Sequence, residues 1–147
     1  MQKIFFIAVL FLCIISCKKK DKELALEPTI ELESVEPTSV MEFRDSVIVT
    51  LSYKDNNGDL GDESADEKSV HVKDSRLLNA DGYHLKPITP NNEELQTQGK
   101  IRIKLKNMFR LGNATQENAT LSIKIKDRAG NWSNEIVTSS IAIHDSL

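Results

Sequence analysis

The chain has 147 residues and a formal net charge of −3, with 19 Lys and Arg against 22 Asp and Glu. That length suits one domain able to bury a real core, and the mildly acidic balance argues against general nucleic-acid binding. The two cysteines, Cys13 and Cys17, both precede Lys18, so everything after them is free of thiol and disulfide chemistry.

Taken in chain order, Lys3 supplies a positive charge and Ile4–Ile15 follows as an apolar run without one. A bilayer-crossing helix needs about 20 apolar residues, so this run is too short to span and has the length and flank of a signal-peptide core. It ends Ile14-Ile15-Ser16-Cys17 and turns at once into Lys18-Lys19-Lys20-Asp21-Lys22-Glu23. This segment resembles the lipobox of bacterial lipoproteins. Ile14, Ser16 and Cys17 stand at its aliphatic, small and thiol positions, while Ile15 stands where a small residue is commoner. The resemblance implies cleavage before Cys17 and acyl chains on that residue. Several chains on one residue hold a protein at a membrane far more firmly than one. Residues 1–16 are then the lipoprotein signal peptide, 17–27 the lipidated cysteine and charged tether, and 28–147 the folded domain. Lys18, in place of an aspartate, implies the outer membrane, and the charged tether resembles surface-export signals of Bacteroidetes lipoproteins. A plain signal peptide and a merely soluble spacer are the simpler alternatives.

From Pro28 onward, alternation with period two dominates, and no stretch sustains a helical period. Thr29–Ser34 sets Ile30 and Leu32 against Glu31 and Glu33. Ser46–Tyr53 sets Val47, Val49, Leu51 and Tyr53 against Ile48, Thr50 and Ser52. Ser69–Lys73 points Val70 and Val72 one way. Tyr83–Ile88 is expected as a short edge strand limited by Pro87. Lys100–Lys106 puts Ile101, Ile103 and Leu105 inward, and Ala119–Lys126 does the same with Leu121, Ile123 and Ile125. Glu135–Ile143 closes the series with Val137, Ile141 and Ile143 inward. Asn107–Gly112 is short enough for one helical turn. About seven strands with one polar and one apolar face each predict an all-β, antiparallel two-sheet sandwich, with a closed barrel as the alternative.

Ser122–Ile143 resembles the last hairpin of bacterial immunoglobulin-like domains, in which a strand ends in Asp-x-x-Gly-Asn. Asp127, Gly130 and Asn131 occupy those places. Tyr53–Asp62 resembles a segment recurrent in Bacteroidetes surface lipoproteins that carry such domains. The resemblance implies an immunoglobulin-like sandwich, although the cysteine pair and strand-borne tryptophan of antibody domains are missing.

The sharpest chemical motif is the loop carrying Asp55, Asn57, Asp59 and Asp62 with Gly58 and Gly61. Hard oxygen ligands on a turning backbone are what calcium requires. The D-x-N-x-D start is that of an EF-hand loop, but Leu60 stands where its glycine belongs. The immunoglobulin-like topology would bring Asp127 and Asn131 to the same end. Asp55, Asn57, Asp59, Asp62 and Asp127 are therefore the calcium candidates, against a plain solvated acidic turn. Lys100, Arg102, Lys104 and Lys106, extended by Lys124 and Lys126, could face an anionic glycan or simply guard the strand from edge pairing. Trp132 could stack on a sugar or plug the end of the sandwich. No nucleophile elbow, phosphate loop or H-E-x-x-H motif occurs, and His71, His84 and His144 are scattered. No catalytic residue is assigned. The expectation is a non-catalytic binding or structural module at the envelope, held to the membrane through Cys17 and meeting a protein or glycan partner. The alternatives are a small calcium-assisted envelope enzyme and a periplasm-facing assembly factor.

Overall fold

In a computed structural model, the structure describes residues 25–90, 93 and 95–146. The signal segment 1–16, Cys17 and most of the tether lie outside those residues.

Ten strands and no helix make up the described chain: β1 (Thr29–Glu36), β2 (Ser39–Met41), β3 (Val47–Asp55), β4 (Val70–Asp74), β5 (Asp81–Tyr83), β6 (Thr97–Leu105), β7 (Gln116–Ala119), β8 (Leu121–Ile125), β9 (Ile136–Val137) and β10 (Ile141–His144). They form three sheets in the orders β1-β3-β6, β2-β10-β7 and β5-β4-β8-β9. All pairings are antiparallel except that of β10 with β2. The last two sheets abut. β7 and β8 are parted only by Thr120 and pair with β10 and β9 respectively. The architecture is therefore all-β and sandwich-like.

Alternation builds the core directly. Ile30 and Val35 of β1, Val47, Val49 and Leu51 of β3, and Ile101, Ile103 and Leu105 of β6 belong to one buried cluster. Val70, Val72, Leu121, Ile123, Ile125, Ile141 and Ile143 from the other sheets complete it. Burial of each such side chain contributes about 1.5–3 kcal/mol. The β-branched residues in these strands also suit a pleated surface. The Asn134 side chain ties the layers together, accepting from Ile30 N–H at 2.9 Å and donating to Ile30 O at 2.8 Å.

Four local expectations differ from what forms. Tyr83–Ile88 is not a strand; only Asp81–Tyr83 pairs, because Leu85 O accepts from Asp62 N and Ile88 N donates to Leu60 O, and Pro87 has no N–H. Asn107–Gly112 makes no helical turn. Glu42 takes the N–H of Arg110, and Glu117 takes those of Leu111 and Gly112, so side chains replace the helical acceptors. Val137 points outward and is 55% exposed, while Ile136 packs against the core. The cause is the break between β9 and β10. There buried Thr138 turns inward, its hydroxyl accepting from Leu121 N and its own N–H donating to Leu121 O. That shift changes the parity of β9. The fourth difference is two unexpected short strands, β2 of three residues and β7 of four, too short for alternation to reveal.

Candidate functional site

At one end of the sandwich, the β3–β4 loop meets the β8–β9 turn. Asp55 is fully buried and spends both oxygens on its own loop, accepting from Asn57 N at 3.3 Å and Leu60 N at 3.1 Å. Asp127 is 2% exposed and accepts from Asn131 N at 2.7 Å and Asn131 Nδ2 at 2.9 Å. These local bonds are what Asp does in turns. Gly130, with φ 93°, supplies the left-handed step that closes the turn.

The two loops are bonded to each other. Leu60 bridges Asp127, Arg128 N donates to Asp59 O at 3.0 Å, and Ala129 N donates to Asp59 Oδ2 at 3.2 Å. Asp59 thus comes up to Asp127 and Asp55. Burial, then the Asp127 charge and that of Asp55 push its carboxyl above the ordinary range, against the pull of Ala129 N–H and Arg128. The Arg128 guanidinium reaches Gly61 O at 3.2 Å and Gly58 O at 3.5 Å. It is a cation supplied by the chain itself. Asp62 stands apart, accepting from Ser64 N at 2.8 Å. Cys17 lies outside the described residues.

Calcium needs six to eight oxygens around one point. Here both oxygens of Asp55 and of Asp127 are occupied by N–H donors, and Arg128 uses the carbonyls of Gly58 and Gly61. Among the described residues, the buried side-chain oxygens of this end without a partner are Asn57 Oδ1 and Asp59 Oδ1. Among the described residues no three His, Cys, Asp or Glu side chains converge as a metal-holding group.

The basic residues fall on two separate faces. Lys100, Arg102 and Lys104 lie outward on β6, where Lys100 pairs with Glu33 of β1 across the sheet. Lys124 lies outward on β8, in the other layer, and Lys126 follows that strand at its bridge to Trp132. Trp132 does not plug the end. Its ring lies over the outer side of β8, with Lys124 Nζ 4.4 Å and Lys126 Nζ 5.9 Å from its centre, and the His71 ring 4.6 Å away.

The opposite end is held by ion pairs. Arg110 joins Glu42 at 2.8 Å and Asp145 at 3.0 Å, and Arg76 joins Asp74 at 2.7 Å and Glu117 at 2.8 Å. Hydrogen bonds from Arg110 hold the Glu42 carboxyl below its ordinary range; the N–H groups of Leu111 and Gly112, then Arg76, do so for Glu117. Neither network was visible in the sequence, since Glu42 and Arg110 are 68 positions apart and Arg76 and Glu117 are 41 apart. Among the described residues no helix is long and apolar enough to cross a membrane. Compared with known proteins, the chain matches no family model, no curated protein and no solved structure.

Proposed function

We propose that this chain is a lipid-anchored lipoprotein whose body is a non-catalytic, immunoglobulin-like binding or structural module at the bacterial envelope. It serves in adhesion, surface assembly or as an accessory to uptake, on the outer membrane and facing outward. The observation that carries the reading is the apolar run ending at Ser16-Cys17, followed directly by charged residues and then by an all-β body. Support for the immunoglobulin-like arrangement comes from the sheet orders. β1, β3 and β6 make one layer, and the closing strand β10 lies between β2 and β7 in the other. The test is incorporation of labelled palmitate in the native bacterium. Wild type takes up label and fractionates with the outer membrane, while Cys17→Ser does neither. A labelled Cys17→Ser variant, or a soluble wild type, overturns the anchor. Protease treatment of whole cells is expected to digest the domain; survival would favour a periplasm-facing assembly factor. A panel of envelope substrates is expected to show no turnover. Turnover abolished by Asp55→Asn would favour the enzyme reading.

A second reading, calcium as a structural ion at the Asp55–Asp59–Asp127 end, draws on the two unpartnered oxygens of Asn57 and Asp59. If it holds, the melting temperature rises with calcium and falls back in chelator, and Asp59→Asn removes that difference. Equal melting in calcium and chelator leaves Arg128 as the cation of this end.

A further inference from the structure

We propose that the outer face of β4 and β8, centred on Trp132, is a docking surface for an anionic polysaccharide. This deepens the binding-module reading and rests on residues other than the anchor.

The face is built by parity. Val70, Val72, Leu121, Ile123 and Ile125 point into the core, which turns His71, Lys73, Ser122 and Lys124 outward, with Lys126 just beyond the end of β8. His71 is in register with Lys124, and on the other side with Gly82, over which the Lys68 side chain lies. The bridge between Lys126 and Trp132 then lays the indole across this strip. The result is a half-buried aromatic ring with the ammonium groups of Lys124 and Lys126 over it.

Charge on this face is poorly balanced. Among the described residues the carboxylate paired with it is Glu67, 3.7 Å from Lys126. Lys124 has the indole instead of a carboxylate, and a cation over an aromatic face is worth only about 0.5–2 kcal/mol. Burial first, and then the charges of Lys124 and Lys126, lower the pKa of His71 from its ordinary 6.5, which leaves the imidazole neutral at pH 7. The basic strip on β6 differs, because Glu33 answers Lys100 there.

An occupant of this face must offer negative charge to Lys124, Lys126 and Lys73, together with a flat C–H surface for the indole. A polysaccharide carrying carboxylate or sulfate groups has both on each repeat. It also suits an extended, shallow face better than an enclosed pocket would. A lipid bilayer suits it less well, since Trp132 lies along the sheet rather than projecting from a loop.

Trp132 is the single tryptophan of the chain, so its fluorescence reports on this face alone. Full-length protein in non-ionic detergent is titrated with a uronate oligosaccharide, a sulfated oligosaccharide and a neutral one of equal length. A saturable change in emission is expected with an acidic oligosaccharide and not with the neutral one. In the same complex the His71 imidazole should titrate at higher pH than in the free protein, because a bound anion cancels the two ammonium charges. Lys124→Gln should weaken binding about tenfold or more while keeping the all-β circular-dichroism spectrum, and Lys73→Gln should weaken it less. Equal responses to acidic and neutral sugars, no response to any, or undiminished binding by Lys124→Gln overturns the proposal. A response to phosphatidylglycerol vesicles but not to oligosaccharides also overturns it, in favour of a membrane-facing role. Any of these failures leaves the lipoprotein reading standing, because that reading is decided by palmitate labelling.

Discussion

Asp59 is a carboxylate whose ionised form the fold disfavours. Its folded pKa is raised above the ordinary 3.8, so the folded state binds its proton more tightly than the unfolded chain does. The sign follows from proton linkage: this group's contribution to stability is largest at low pH and is lost as pH rises through the raised value. Asp59→Asn should therefore raise the melting temperature at pH 7 and give no gain at pH 3, as calorimetry at the two pH values will show. Arg128→Gln should act in the opposite direction at pH 7, since it removes the guanidinium that offsets the Asp59 charge. Gly61 is constrained differently. It sits at φ 81°, and a Cβ there would come within 2.2 Å of Lys86 O. Gly61→Ala should cost at least the 1–3 kcal/mol typical of a strained left-handed residue, measured by denaturant unfolding.

Among the elements, β8 and β9 show how far alternation reaches. Ile123 is fully buried, and Ile123→Ala should cost about 2–5 kcal/mol. Val137 was expected inward by the same pattern, yet Val137→Ala should change stability by less than about 0.5 kcal/mol, because the side chain faces out. Chemical denaturation of the two variants tests the parity shift directly. Strands β1, β3, β4, β6 and β8 were legible because each carries several alternating apolar residues with one buried face. β2 and β5 were not, since three residues hold too little pattern. The edge strand expected at Tyr83–Ile88 failed because its backbone partners came from the acidic loop, a contact that no local rule contains. The carboxylate end was partly legible: the resemblance to immunoglobulin-like domains implied that Asp127 and Asn131 would approach Asp55 and Asp59. Arg128 as a cation at this end was not, because its acceptors are main-chain carbonyls far along the sequence.

For the molecule as a whole, the groups with lowered pKa values should make acid act in two steps, opposed in part by protonation of Asp59. His71 has a folded pKa below its ordinary 6.5, so its contribution is fully present above pH 6.5 and is lost as pH falls through the lowered value. Glu42 and Glu117 have folded pKa values below the ordinary 4.5, so theirs is present above pH 4.5 and lost as pH falls further. Melting temperature should be level above about pH 7 and fall first below pH 6.5 and again below pH 4.5. His71→Gln should abolish the upper step alone, while Arg110→Gln should shrink the lower one. The order of assembly follows from the parallel pairing of β10 with β2. Those partners stand near opposite ends of the described chain, so the loop between them must close before either pays back its ordering. A polypeptide threaded amino end first through a translocation channel cannot finish its architecture until the carboxyl-terminal segment has emerged. For the exported lipoprotein proposed above, closure of this sheet would follow passage of the carboxyl-terminal strand.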